Sequence, residues 1–313
     1  MKTKHKFALL TNDVETTSIL NHRLDDNIGG YLGSQGMPRL LDLYDKFGVQ
    51  ATFFFTGHIA TLYPELVKMA MTRGHEIGSH GYTHDPNHAF DTLSIKEQIA
   101  HLVKSKSILE DICGTQVISF RAPAARVNRN IGVALEEVGF KTDSSVSSQR
   151  LDMFFSFGSA KKLNWIFAPR LPYFIDRKNV FKRGDSDILE IPISAMVFPY
   201  IGTFMRLSPF LNRMTRNVLY YENRLNGRPF VFLTHPNEFI DENQNGTSIV
   251  RRGSNYVSYI LGDVVRHKLK VKNLGAKALP LLERELMFFR QKGFNFLTCS
   301  KLYEEERGIN ASQ

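Results

Sequence analysis

Short apolar runs alternate with stretches of helical period along most of this chain. Phe7–Thr11 is an apolar run of strand length, and a polar, Gly-rich segment follows it through Gly36. Pro38 stands where a first helical turn would begin. Leu40, Leu41 and Tyr44 follow at helical spacing, and Gly48 closes the helix. The pattern then predicts a strand at Ala51–Thr56, a helix over Pro64–Thr72 and a strand at Glu76–Ser79. Ser94 and Glu97 form a capping box for a helix carrying Ile95, Ile99, Leu102, Leu109 and Cys113, ended by Gly114. Further strands are predicted at Val117–Phe120, Phe140–Ser144, Ile166–Ala168, Ile188–Ile193, Phe230–Leu233 and Phe294–Thr298, with helices at Ile131–Val138 and roughly Ala276–Gln291. Repeated strand-then-helix units predict an α/β fold with a parallel β core, open or closed into a barrel.

These strands place the polar residues of interest. Asp13, His80, Arg121, Asp143 and His235 each fall at or just past the C-terminal end of a predicted strand. In α/β barrels that rim is where active sites are built. His80 and His84, with three residues between them, and the upstream Glu15 supply two imidazoles and a carboxylate. That is the ligand set of a catalytic zinc site with one position open. Asp13 is then free to take a proton from water, so the set points to metal-assisted hydrolysis. His75-Glu76 invites the helical metalloprotease motif, but Ser79 stands where its second histidine belongs, and that reading is excluded. Gly29-Gly30-Tyr31-Leu32-Gly33 does not follow a strand directly, so it reads as a flexible flap, residues 16–36, rather than a dinucleotide turn. His88 reads as an exposed loop histidine.

The chain resembles the polysaccharide deacetylases of the NodB-homology type, carbohydrate esterase family 4. The resemblance rests on Thr11-Asn12-Asp13-Val14-Glu15, His80-Gly81-Tyr82-Thr83-His84, Arg121-Ala122-Pro123-Ala124-Ala125, Asp143-Ser144-Ser145 and Leu233-Thr234-His235, in that order. Glu190-Ile191-Pro192 and Gly293-Phe294-Asn295-Phe296 also resemble family features, so the likeness runs from Phe7 to Glu305. It implies a distorted (β/α) barrel with Asp13 as general base, His235 as general acid, and Glu15, His80 and His84 as metal ligands. It further implies that Arg121 pairs with Asp13, that Asp143 orients His235, and that the Ala124 amide shares an oxyanion with the metal. The implied metal is Zn²⁺, with Co²⁺ or Ni²⁺ as alternatives, and the implied reaction is removal of an acetyl or formyl group from an amino sugar. Alternatives are a hydrolase of a non-sugar amide and a glycan-binding relative without turnover. Three departures stand out. Glu15 replaces the usual Asp and lengthens that ligand arm by one methylene, Ala125 replaces Gly, and Asn12 replaces an aromatic.

Composition narrows the partners. The 313 residues are 42% hydrophobic and 23% charged, an ordinary globular balance read here as one domain, with insertions at about 195–225 and 241–273. Two cysteines over this length make no disulfide framework. The apolar stretch after Met1 is too brief for a signal peptide's core, so a cytoplasmic location is expected, with a sugar or lipid-linked glycan met inside the cell. A net charge of +9 admits nucleic acid or an anionic surface, but no zinc-finger spacing or aromatic-basic signature favours nucleic acid. Over Met196–Tyr221, Phe204, Leu207, Leu211, Met214, Val218 and Tyr221 keep helical spacing among Arg206, Arg213 and Arg216. The expectation is a helix packing this stripe on the sheet, with contact to a membrane surface as the alternative. Arg251-Arg252 through Lys272 adds to the basic character.

Overall fold

A computed structural model describes residues 6–20, 23–149, 164–241 and 271–311, with side chains to 308. Its framework is a curled sheet, mostly parallel, with helices outside. The first strand, β1 (Phe7–Val14), lies at the centre. A helix follows: α1 (Ile28–Tyr31) continues through a π-helical turn over Leu32–Gly36 into α2 (Met37–Phe47), which Gly48 ends in the left-handed conformation. Then come β2 (Thr52–Phe55), α3 (Gly57–Leu62), α4 (Pro64–Thr72), β3 (Glu76–Ser79), α5 (Ile95–Cys113) and β4 (Ser119–Phe120). The capping box at Ser94 and Glu97 is present as expected. After α6 (Ile131–Val138), β5 (Thr142–Asp143) and the short α7 (Asn164–Phe167), an antiparallel hairpin of β6 (Tyr173–Asp176) and β7 (Asn179–Arg183) leads to β8 (Leu189–Glu190). The chain closes with α8 (Gly202–Leu207), α9 (Pro209–Asn226), β9 (Phe230–Thr234), α10 (Leu279–Gln291), β10 (Asn295–Phe296) and α11 (Cys299–Ala311).

The parallel ladder runs β1-β2-β3-β4-β5-β8, with β9 on the other edge of β1. Past β8, Ser194 donates its N–H to Val231 O, and its hydroxyl accepts from Val231 N, which brings the ladder back to β9. The ring is therefore a distorted (β/α) barrel, as the resemblance implied.

Strand alternation sorts the side chains. Leu9, Phe54, Leu189, Ile191 and Val231 form one buried cluster inside the ring, closed below by Cys299 and Leu302 of α11. Their neighbours Ala8, Leu10, Val14, Phe53, Phe55 and Phe232 face outward and build the larger core against the helices. Thr11 and Asp13 therefore share the inner face with Leu9. Gly78 on β3 leaves the room that Phe54 fills, since a Cβ there would lie 2.6 Å from the ring.

Three expectations fail here. The Gly-rich end of the flap, Ile28 to Gly36, is helical: a Cβ at Gly29 would meet the Tyr63 ring at 2.1 Å and one at Gly36 the Pro236 carbonyl at 2.5 Å, so these glycines serve close packing. Ile166–Ala168 is not a strand, because it overlaps α7. On α9 the buried residues are Asn212, Thr215, Leu219 and Asn223, while Leu211, Met214, Val218 and Tyr221 face solvent. The basic stretch Arg251 to Lys270 lies outside the described residues.

Candidate functional site

The upper rim gathers Asp13 and Glu15 from β1, His80 and His84 from the turn after β3, Arg121 from β4 and His235 from β9. Gly81 makes the turn possible. It adopts φ 68°, a left-handed conformation that a side chain disfavours, and a Cβ there would lie 2.9 Å from Phe90. Its carbonyl accepts from Gly57 N and from the Ser105 hydroxyl, which fixes the loop between the two histidines.

Arg121 is the buried hub, 1% exposed. One guanidinium nitrogen donates to Asp13 Oδ1 and to Thr11 Oγ1, both at 2.9 Å. Nε donates to Ser144 O at 2.8 Å and the remaining nitrogen to Ser144 Oγ at 2.7 Å, while the plane lies 4.5 Å from the Phe54 ring centre. Among the described residues, the guanidinium of Arg121 thus grips Asp13 on Oδ1. Its Oδ2 lies 3.7 Å from His80 Nε2 and 3.9 Å from His235 Nε2.

The metal-capable group is Glu15, His80 and His84, whose ligand atoms all lie within 4.8 Å of one another. His80 Nδ1 lies 2.8 Å from Arg121 O. A carbonyl can only accept, so Nδ1 carries the proton and Nε2 presents its lone pair to the acids, the tautomer a metal ligand needs. Glu15 Oε2 approaches His84 Nε2 to 2.8 Å but off hydrogen-bond direction, and among the described residues it is buried without a donor. Burial alone would raise Glu15; His84, His235 and His80 outweigh it and lower the carboxyl to about 2. Burial lowers His80 against the pull of Asp13 and Glu15, whereas Glu15 overcomes burial at His84 and raises it. A negative carboxylate facing two imidazole nitrogens suits a divalent cation.

Other expected residues fall elsewhere. Asp143 does not reach His235: no hydrogen bond or ion pair joins them among the described residues. The reason is the strand period. Thr142 bonds to Ser119 and Ser144 to Arg121 on the inner face, so Asp143 between them points outward. There it accepts a short hydrogen bond from Ser145 and faces its register partner Glu190 on β8, which accepts from Val146 N. Burial raises both carboxyls above their ordinary range; the Asp143 charge adds to the rise at Glu190, whereas hydrogen bonds with Ser145 and Glu190 hold Asp143 lower. Ala124 and Ala125, at φ 52° and 51°, form a left-handed turn just past Arg121, so the usual glycine conformation persists with alanine in place. His75 accepts from Ala51 N at 3.2 Å and is structural, and exposed His88 lies beside His101 rather than among the ligands.

Sequence reasoning missed the residues that tie these groups together. Thr11 and Ser144 hold Arg121, and Ser145 accepts from Ala122 N, anchoring the alanine turn. Asn12 Oδ1 accepts from Tyr44 and from Thr234, the residue before His235, so it binds β1 to β9 on the outer face. Only Asn12 carried a signal, as a polar residue inside an apolar strand.

Residues 6–142 match the polysaccharide deacetylase family. A peptidoglycan deacetylase of Helicobacter pylori is 30% identical over 173 residues, which is 54% of this chain and 56% of that protein. The chain thus spans about half the length of this relative. Among solved structures, a probable polysaccharide deacetylase from Pseudomonas aeruginosa superposes with TM-score 0.59 at 16% identity, covering 96% of this chain and 90% of that one. A protein from Mycobacterium smegmatis described as a polysaccharide deacetylase gives 0.55 at 21% identity, over 75% and 79%. Both share the fold. The matched residues 6–142 hold Asp13, Glu15, His80, His84 and Arg121, so the likeness to the polysaccharide deacetylase family covers most of the candidate site.

Proposed function

We propose that this protein is a metal-dependent hydrolase that removes an N-acyl group, acetyl or formyl, from an amino sugar of a bacterial surface polysaccharide or lipid-linked glycan. The observation that carries the reading is the placing of Asp13 Oδ2 between the ligand His80 and the rim histidine His235, with Oδ1 committed to Arg121. Glu15, His80 and His84 would hold the cation, for which two nitrogens and one oxygen favour Zn²⁺ over harder ions. A divalent cation there supplies Lewis-acid polarisation of the amide carbonyl.

The chain's own groups do the proton work. Asp13 keeps one oxygen clear of Arg121 to accept a proton from the attacking water. His235 Nε2, 3.9 Å from that oxygen, is placed to protonate the departing nitrogen, since an amine leaves poorly as its anion. The Ala124 amide, on the turn past Arg121, belongs to the same reading as an oxyanion donor. Products are the free amino sugar and a small carboxylate. Similarity to the Helicobacter pylori peptidoglycan deacetylase supports an N-acetylated glycan as substrate. We place the protein in the cytoplasm, peripheral to the inner leaflet; unpaired Cys113 and Cys299 fit that compartment.

The test is acetate or formate release from N-acylated glucosamine oligomers by the purified protein, with metal content measured alongside. Asp13→Asn is expected to retain the metal and lose about 10²–10⁴-fold in kcat. A wild-type protein that binds zinc yet releases no carboxylate from any N-acylated sugar would sink the reading.

A further inference from the structure

Helix α9 is built inside out. Its inward residues Asn212, Thr215, Leu219 and Asn223 are mostly polar, and the outward ones are apolar: Phe210 is 61% exposed, Met214 51%, Tyr221 63% and Leu225 76%. With Val218 they fall at intervals of three or four residues and make one stripe, roughly 22 Å long at 1.5 Å per residue. The helix cannot be rolled to hide it, because the inward polar groups are engaged. Asn212 Nδ2 donates to Glu285, Asn223 Nδ2 donates to Arg228 O, and Arg216 pairs with Glu285 while lying 4.1 Å from the Phe288 ring centre.

Charge says what covers the stripe. Glu222 is neutralised by Arg170 and Arg228, and Glu285 by Arg216. Arg213 and Arg224 on the outer side of α9, and Arg284 on α10, have no acidic partner among the described residues. Arg213 and Arg284 line one cavity of about 470 Å³ with Phe210 and the exposed Met287. An apolar stripe bordered by unpaired guanidiniums and free of unpaired carboxylates matches a surface that is apolar below and anionic above. It does not match a second copy of the same cationic face.

We propose that this face of α9, with Met287, Arg213, Arg224 and Arg284, docks the protein on an anionic bilayer with the helix axis along the surface. The apolar side chains enter the acyl boundary and the arginines take lipid phosphates. α8, which leads into α9, pairs Arg206 with Glu238 in the turn directly after His235. The proposal deepens the membrane-side reading above, but its test uses no turnover, so either can fail alone.

The full chain is sedimented with phosphatidylcholine vesicles and with vesicles containing phosphatidylglycerol. Binding is expected to the anionic vesicles and to weaken as salt rises. Arg213→Gln with Arg284→Gln should weaken it about 25-fold, five-fold for each charge. Met214→Ser with Leu225→Ser should weaken it at least as much, and both pairs should leave the melting temperature and release of carboxylate from a soluble N-acylated sugar unchanged. Val218→Trp offers a second readout: its fluorescence is expected to be quenched by brominated acyl chains. Equal binding by wild type and variants, no binding to anionic vesicles, or an unquenched tryptophan would overturn the proposal. So would light scattering that shows a dimer dispersed by the Met214 and Leu225 pair.

Discussion

Two glutamates sit at strand ends of the same ring, both shielded from water, and they answer burial in opposite ways. Glu15 is 5% exposed and is lowered to about 2; Glu190 is fully buried and raised well above its ordinary range. The difference lies in what each faces. Glu15 looks inward onto His84, His80 and His235, whereas Glu190 looks outward onto Asp143. Burial sets the stakes, and the neighbour decides the charge.

Replacing each glutamate by its amide sharpens this contrast, and the inner site should suffer most. Glu15→Gln removes the one carboxylate of the proposed ligand set and should lower both metal stoichiometry and turnover, the latter about a thousand-fold, with little change in melting temperature. Retention of full metal content would separate Glu15 from the ligand set. Arg121→Met tests the hub instead. It leaves Asp13 buried without its cation and should cost about 3–5 kcal/mol in chemical denaturation. A smaller loss than about 1 kcal/mol would mean that Asp13 does not depend on that pair.

Glu190→Gln is the mildest change, because its amide can donate to Asp143 as the shared proton does. The sign follows from the raised carboxyls: the folded form holds a proton that the unfolded chain gives up. The stability this contributes is complete below the ordinary carboxylate range and lost as pH rises through the raised value. Wild type should therefore lose stability on going upward from that range, and the variant should show a flatter profile. Denaturation midpoints measured across pH give the answer, and parallel profiles would show that no proton is shared.

The sequence made the inner face legible and the outer one much less so. Helical period and the capping box at Ser94 located α5, and four of the five motifs brought Asp13, Glu15, His80, His84, Arg121 and His235 to one rim. Motif order could not tell that Asp143 turns outward. That depends on its parity along β5, fixed by Thr142 and Ser144 bonding inward, and on Glu190 47 positions later in the chain. Period alone also misled on α9. An apolar stripe announces a face but not its direction, and Glu285, which holds Asn212 inward, comes from 73 positions away in the chain. The glycines of α1 and its π-helical turn read as freedom, though Tyr63 and the Pro236 carbonyl had claimed the space.

Arg121 holds Asp13 through its side chain and His80 through its main chain, since its carbonyl receives the Nδ1 proton of His80. The proposed proton acceptor and the proposed metal holder are thereby tied to a single residue. A change at β4 would therefore reach Asp13 and His80 together.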